Sequence, residues 1–263
     1  MDKLKKYRDQ WWNQGNFHPM AEWEKVKLPY ILAENVTIDK YEERTDRFNV
    51  RGCWEWDAKF EKNGVVLGEV AVYELPLQAH EVCAGEISSL IFEQCLPANR
   101  TDAKIYILAA TRTRVRGFGK EADGSFRPEK SSVDLPNGSD GLNAPWPNLV
   151  VEVASSESTR HVKEKARNYW LYNNRVRDVI IVKLYDAAEN QIPSRMKFDT
   201  HDANGDPLSY QEGTHVIRIP LDCLYHDVKP PIEIPRSVLP DPIILDFFFV
   251  RKAILKSFSY KCE

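Results

Sequence analysis

The stretch PNLVVEVASSESTRHVKEKARNYWLYNNRVRDVIIVKLYD, residues 147–186, predicts a strand, a helix and a second strand. Residues 148–154 form a near-continuous apolar run, which is typical of a strand covered by helices on both faces. The serines that follow are good helix N-caps. A helix over about 159–172 and a second apolar run over 178–185 complete the unit, and we expect the two strands to be parallel.

Two charged residues in this unit stand out from their apolar surroundings. Glu152 interrupts the first strand, and burying a lone carboxylate there costs several kcal/mol unless a partner compensates it. Lys165 follows Val162 at helical spacing and precedes Tyr169 by four residues, so it lies on or beside the inward stripe of the helix. Lys163 is the alternative candidate for the inward lysine, but it lies further from the inward stripe. The pattern predicts a carboxylate and an ammonium group facing each other.

Composition restricts the class of protein without identifying it. The chain has 263 residues, of which 43% are hydrophobic and 29% charged, so it is long enough for one large domain with appendages. Its formal charge of -3 argues against a polyanion binder with a basic surface throughout, although a local basic groove stays open. The five cysteines include no CxxC pair, which indicates reduced thiols rather than a disulfide framework or a zinc site.

Targeting signals are not evident in the sequence. The first residues, MDKLKKYRDQWW, lack the apolar centre of a signal peptide. The longest apolar run, IILDFFFV, is too short to span a membrane and contains Asp246. We therefore expect an intracellular protein, cytoplasmic or nuclear, with no membrane partner.

The region before the central unit predicts a hairpin and a helix. Residues 53–60 alternate apolar and polar, Asn63-Gly64 is a strong turn signal, and residues 65–73 complete the hairpin. A helix over 78–96 carries Glu86 on the same side as its packed residues. Its His80 we interpret as a core or helix-end histidine rather than a metal ligand.

Two further strands are predicted before the central unit. One is a short buried strand over 104–110, followed by TRTRVR with an arginine at every second position. That segment is either a solvated face or an edge that contacts phosphates. Residues 120–126 predict another strand with Asp123 near its middle, and residues 129–146 form a long loop.

After the central unit the sequence predicts peripheral structure. A hairpin over 188–214, an edge strand over 216–221 and a proline-rich connector precede a final helix over about 244–257. The FFFV segment of this helix could form a dimer interface or be part of the core. The chain thus divides into an N-terminal arm packed on the core (1–45), a main domain (46–225), and the connector with the C-terminal helix (226–263).

The inward charges together suggest one kind of chemistry. Glu86, Asp123 and Glu152 would supply carboxylates, and Lys165 an ammonium group. Oxygen-rich sites of this type suit Mg²⁺ or Mn²⁺, which bind through one or two carboxylates and keep waters for the substrate. A nearby lysine can orient the attacking water and offset charge on a phosphoryl oxygen. The set is suited to phosphodiester hydrolysis.

The chain also resembles the PD-(D/E)XK nuclease superfamily, within it the Uma-type branch of restriction endonuclease-like proteins, over roughly residues 50–225. The segments that carry the resemblance are FEKNGVVLGEVAVYELPLQAHEV, KEADGSFRP, residues 146–184 of the central unit, and HVIRIPLDCLY. The resemblance implies a restriction-endonuclease-like α/β fold with a mixed central sheet flanked by helices, a nuclease-like domain over 46–225, a Mg²⁺ or Mn²⁺ cofactor and DNA as partner. It leaves a homodimer open.

Carried onto this sequence, the motif implies catalytic roles for Asp123, Glu152 and Lys165, with Asp123 and Glu152 as metal ligands. Glu86 as a third metal ligand comes from its face of the helix and only loosely from the resemblance. The sequence departs from the motif at three places: Ala122 replaces the proline, Asn148 the aspartate before the strand, and Ala154 the lysine. Lys165 occupies the place from which a helix lysine could substitute.

Two functions follow from these observations. The first is a Mg²⁺-dependent endonuclease acting on DNA. The second is a catalytically inactive protein of the same fold that binds nucleic acid or a protein partner, because a fold does not imply an activity. Whether the chain is an enzyme is left open by the sequence.

Overall fold

A computed structural model describes residues 3–15, 28–48, 54–74, 78–109, 112–115, 118–184, 211–228 and 233–259. Residues 188–210 of the predicted hairpin and residues 229–232 of the proline-rich connector lie outside the described residues. The elements in chain order are α1 (Lys3–Gln14), β1 (Tyr30–Val36), α2 (Ile38–Phe48), β2 (Trp54–Lys62), β3 (Val65–Val72), α3 (Gln78–Cys95), β4 (Ile105–Ile107), β5 (Arg112–Val115), β6 (Phe118–Glu121), β7 (Gly124–Pro128), β8 (Leu149–Ala154), α4 (Thr159–Lys165), β9 (Asp178–Lys183), β10 (Val216–Ile219), α5 (Leu221–Leu224), β11 (Ile243–Asp246) and α6 (Phe247–Ser259).

The predicted strand–helix–strand unit supplies two strands of a four-stranded mixed sheet of order β4-β7-β8-β9, in which β8 is internal and β9 lies at the edge. β8 and β9 are parallel, and β7 runs antiparallel to β8. Every residue of β8 is buried, as expected for a strand covered on both faces. The prediction of an α/β fold with a mixed sheet is therefore confirmed.

Helices cover both faces of this sheet. The side chains of β8 point alternately to one face and to the other, so each set packs against a different group of helices. Val151 and Val153 pack with α3 and α6 in the main core. Val150 packs on the other side with Tyr169 and Trp170, which follow α4 in a π-helical turn over Ala166–Trp170. Glu152 falls on this second side, next to the residues that end the helical segment.

A second sheet, which the sequence analysis did not predict, is five-stranded and antiparallel, with order β1-β3-β2-β6-β5. It contains the predicted hairpin, β2 and β3, joined at Asn63-Gly64. α1 and α2 close its tryptophan-rich core, in which the Tyr41 hydroxyl donates to the carbonyl of Trp54 (2.9 Å). The N-terminal region thus supplies a strand as well as helices.

Asp123 is not in the middle of a strand, as predicted, but between two strands. β6 ends at Glu121 in the five-stranded sheet and β7 begins at Gly124 in the four-stranded sheet. The chain crosses between the sheets at residues 122–123. Asp123 therefore lies at their junction.

The C-terminal helix begins later than predicted. Residues 243–246 pair with β10 as a strand, and α6 starts at Phe247. Of the FFFV segment, Phe247 and Val250 are buried in the main core, whereas Phe248 and Phe249 are half-buried. The apolar run is divided because its first part alternates in a strand and its second part follows a helix.

We predict opposite effects on stability from two Gly→Ala substitutions. At Gly68, in β3, an added Cβ would lie 2.4 Å from the Asp57 carbonyl oxygen and 2.6 Å from the Trp56 indole. Gly68→Ala should lower the free energy of unfolding by about 1–3 kcal/mol, because overpacking forces the core to shift. At Gly85, exposed on α3, an added Cβ meets nothing within 4 Å.

Gly85→Ala should raise the free energy of unfolding by up to about 1 kcal/mol, since alanine has the higher helix propensity. Urea denaturation followed by circular dichroism measures both variants. Equal stability of the two alanine variants would contradict the packing described at Gly68.

Candidate active site

A small polar cavity of about 10 Å³ lies where the two sheets meet. That volume is near the minimum for one bound water. Five of its lining residues are acidic and one is a lysine. The lining residues are Glu55, Tyr73, Glu74, Asp123, Glu152, Val153, Glu157 and Lys165. The cavity therefore carries an excess of carboxylates over cationic groups.

Glu152 and Lys165 form the buried ion pair that the helical spacing predicts. Lys165 Nζ lies 2.9 Å from Glu152 Oε2, and Trp170 Nε1–H donates to Glu152 Oε1 at 2.5 Å. Only 1% of Glu152 is exposed. Lys163 is exposed on α4 and Lys165 is buried. The structure thus places Lys165, and not Lys163, against the strand carboxylate.

Asp123 faces the same cavity from the junction of the sheets. Gly124 pairs with Val151, so Asp123 lies one position further along, across from Glu152. Asp123 Oδ2 accepts a hydrogen bond from the backbone N–H of Val153 (2.7 Å). The antiparallel register of β7 and β8, which no sequence pattern specifies, therefore brings the two acids together.

Glu86 is not among the side chains that line the cavity. It is half-buried on α3, beside the stripe of Cys83, Ile87 and Ile91 that packs into the main core. The same helix instead contributes His80 from its first turn, with His80 Nε2 3.3 Å from Asp123 Oδ1. His80 Nε2 is buried and makes no hydrogen bond of good geometry within the described residues, while its acidic neighbours Asp123 and Glu81 outweigh burial and raise the pKa of His80 to about 10. The interpretation of His80 as a buried histidine agrees with its burial, but its neighbour is an acid of the site.

Charge on these groups is distributed unevenly. Burial opposes the charged form of Glu55, but the ammonium groups of Lys120 and Lys165 outweigh burial and lower its pKa to about 2. Burial raises the pKa of Glu152 above its usual range, and the nearby Asp123 adds to the rise while Lys165 opposes it. Burial therefore disfavours the charged form of Glu152, whereas two lysines favour the charged form of Glu55.

Lys165 stays charged although it is buried. Burial works against its ammonium form, but Glu152 and Glu55 together raise its pKa well above the usual value. Lys165 Nζ lies 3.2 Å from Glu55 Oε1. A charged lysine can donate hydrogen bonds and offset negative charge, but it cannot serve as a base.

Glu74, at the end of β3, holds the segment that follows β8. Its carboxylate accepts hydrogen bonds from the backbone N–H groups of Ser155, Ser156 and Glu157, at 2.7–2.9 Å. The Ser156 hydroxyl adds a bond of 2.6 Å. Glu74 thus orients the chain between the strand that carries Glu152 and the helix that carries Lys165.

A histidine on α4 links the outer part of this network. His161 Nδ1 is hydrogen-bonded to Glu157, and the His161 ring stacks on Tyr73 with 3.6 Å between centroids. His161 Nε2 lies 3.6 Å from Glu55 Oε2. Sequence reasoning missed Glu55, Glu74 and Glu157. The sequence contained one signal for Glu55. It lies between Trp54 and Trp56 in the alternating strand β2, so its side chain points to the opposite face of the strand from the two tryptophans.

Within the described residues, no three His, Cys, Asp or Glu side chains are arranged as a ready-made metal site. Two carboxylates with solvent suffice for Mg²⁺, so the relevant pair is Asp123 and Glu152. A carboxylate has about four lone-pair positions. Within the described part of the chain, the hydrogen bonds and ion pairs of these two acids leave further lone pairs on each.

Glu55→Gln should destabilise the protein in a pH-dependent way. The folded pKa of Glu55, about 2, is lower than its ordinary value of 4.5, so its contribution is present above pH ~4.5 and is lost as the pH falls toward 2. Removing this charge from a buried network should cost about 3 kcal/mol at pH 7. The difference in unfolding free energy between wild type and Glu55→Gln should shrink between pH ~4.5 and ~2.

Urea titrations at several pH values measure this difference, because acids shared by the two proteins cancel. Glu164→Gln, at an exposed acid paired with Arg160, is the matched control and should change stability little at any pH. A wild-type minus Glu55→Gln difference that does not vary with pH would rule out the charge distribution described for Glu55.

Comparison with known proteins gives little further information. No family model matches this chain, and no curated protein does. One solved structure that it resembles is the crystal structure of a candidate nuclease of the DUF820 family from Anabaena variabilis, at 14% identity and a TM-score of 0.33. The match covers 51% of this chain and 66% of that one, slightly under two thirds of its length. A superposition at this TM-score carries no argument about the site.

Proposed function

We propose that this protein is a metal-dependent nuclease that hydrolyses phosphodiester bonds of DNA at the cavity between the two sheets. The observation that carries the proposal is that Asp123, Glu152 and Lys165 line one cavity. Asp123 comes from the junction between the two sheets, Glu152 from β8 and Lys165 from α4. The chain's resemblance to the PD-(D/E)XK superfamily independently suggests these three positions for this chemistry.

The residues of the cavity fit a divalent cation. Asp123 and Glu152 provide carboxylate oxygens, the hard ligands that Mg²⁺ and Mn²⁺ prefer. The pKa of Glu152 is raised by its burial and by the neighbouring Asp123, while Lys165 opposes the rise. Glu86 does not line the cavity, and the proposal therefore rests on two carboxylates and not on three.

A bound Mg²⁺ or Mn²⁺ would supply positive charge against the phosphoryl oxygens as negative charge builds up on them. The protein's own residues would do the rest. Lys165 would donate a hydrogen bond to the attacking water or to a phosphoryl oxygen, since its ammonium is held in the charged form. Glu55, 3.2 Å from Lys165 Nζ, would help to keep this ammonium charged. Glu74 would hold the segment that joins β8 to α4 through its hydrogen bonds to the backbone of that segment.

The predicted phosphate-contacting edge on β5 is not part of this proposal. Arg112 Nη1 lies 2.6 Å from Asp46 Oδ1, and Arg114 Nε lies 3.0 Å from Glu42 Oε1, so both arginines already face carboxylates of α2. Arg116 lies outside the described residues. The resemblance to the restriction endonuclease-like branch suggests DNA as the substrate.

A second candidate function is a catalytically inactive module that binds nucleic acid or a protein. It is favoured by one observation: each oxygen of Glu152 already has a partner within the protein, Lys165 or Trp170. Such a network can serve fold specificity alone. If so, divalent cations should have no effect on stability. Glu152→Gln should keep or raise it, because burial already disfavours the charged form of this carboxylate, unlike that of Glu55.

Asp123→Asn and Glu152→Gln should each reduce DNA cleavage at least about 100-fold, because each removes a charged ligand from the reacting centre. The assay is nicking of supercoiled plasmid with Mg²⁺ or Mn²⁺, with EDTA as the blank. Glu86→Gln is the matched control, a carboxylate-to-amide change on α3 outside the cavity, and should cleave like wild type. Unchanged cleavage by both site variants, with their folds intact by circular dichroism, would reject the assignment.

Mn²⁺ should raise the thermal midpoint of the wild type, because a ligand that binds only the native state stabilises it. At roughly 100 times the dissociation constant the rise should be about 5–10 °C for a chain of this size. The rise should be absent from Asp123→Asn and present in Glu86→Gln. Identical midpoints with and without Mn²⁺ in the wild type would favour the inactive module.

A further inference from the structure

A second, larger cavity of about 120 Å³ is separate from the candidate active site. Two arginines, Arg112 and Arg127, line it together with the hydroxyl-bearing residues Ser125 and Ser139 and the Trp170 ring. Its volume is many times the ~10–15 Å³ that a single water requires. The cavity is therefore large enough for a small polyatomic ligand.

Arg127 is the cation in this cavity that lacks a counter-charge. Its Nη1 donates to the carbonyl of Pro145 (2.6 Å), while its buried Nε has no hydrogen-bond partner among the described residues. No carboxylate of the described residues forms an ion pair with it. Burial lowers the pKa of Arg127, which is the effect of removing water from a charge that the protein does not neutralise. An anionic ligand would supply the missing partner.

The other polar groups in the lining are compatible with an anion. Arg112 is already ion-paired with Asp46 at 2.6 Å, so it would add N–H donors at the cavity rather than an uncompensated charge. The Ser125 and Ser139 hydroxyls donate to backbone carbonyls at 3.1 and 3.3 Å, long for O–H···O bonds, so their hydrogens can turn to a ligand at small cost. Asp140 also lines the cavity, but its Oδ1 accepts from two backbone N–H groups of its own loop.

We propose that this cavity binds a small oxyanion of the phosphate type, held by the guanidinium of Arg127 with Arg112 and the serine hydroxyls around it. Arginine presents a planar fork of N–H donors that matches phosphate oxygens. The ligand could be free phosphate or the terminal phosphate of a nucleic acid, which share this chemistry. The proposal does not depend on metal binding or on hydrolysis at the first cavity.

Trp170 provides an internal reporter for binding. Its ring lines this cavity, and its indole N–H donates to Glu152 in the other one. An anion beside the ring should change the tryptophan fluorescence of the wild type. The same titration in Trp170→Phe separates this signal from the other six of the seven tryptophans in the chain.

The test is calorimetric titration of the full chain with inorganic phosphate, in EDTA to remove divalent cations and with chloride added to match ionic strength. We expect one saturable site in the wild type and a weakening of at least about tenfold in Arg127→Met. Arg160→Met, at an exposed arginine on α4, is the matched control and should bind like wild type. Parallel titrations with a 5′-phosphorylated and an unphosphorylated oligonucleotide distinguish the two sources of phosphate.

Because Arg127 also clamps the Pro145 carbonyl, Arg127→Met could fail to fold, and a thermal melt without phosphate checks this. Arg127→Lys, which keeps the charge but loses the fork, and Ser125→Ala serve as second variants and should each weaken binding. No saturable phosphate binding in the wild type, or equal affinity in wild type, Arg127→Lys and Ser125→Ala, would overturn the proposal.

Discussion

The buried charges around Lys165, beginning with its ion pair to Glu152, connect the two sheets of the structure. Glu152 is on the most buried strand, and Lys165 on the helix that immediately follows it. A second acid, Glu55, reaches the same ammonium from the five-stranded sheet. Burying these charges is costly unless each finds a partner, so the relative position of the two sheets and of α4 is constrained by one cluster of charges.

The lysines of this cluster are distributed unevenly among its acids. Glu55 is compensated by two lysines and has a low pKa, whereas Glu152 and Asp123 share the cavity with further acids. Structural ion pairs need no such excess of carboxylates. A cation from solvent would balance this charge, which is the premise of the proposed metal-dependent function.

Trp170 joins the two cavities physically. It is fully buried, packs edge-on against Tyr169, and its indole contacts Glu152 on one side and the arginine-lined cavity on the other. The π-helical turn that places Trp170 follows directly after Lys165. Such turns are frequent at functional sites.

The sequence by itself determined the local elements and the one short-range pair of charges. Apolar runs and helical spacing predicted the parallel β8–α4–β9 unit. Helical spacing also placed Lys165 on the inward face of the helix next to the strand of Glu152, because the two residues lie on adjacent elements whose periodicity is known. Only the tertiary structure decided that Asp123 joins them, that Glu86 does not, and that Glu55 and His80 border the site. Those positions depend on strand register and on the packing of two sheets, contacts between distant segments that no local pattern encodes.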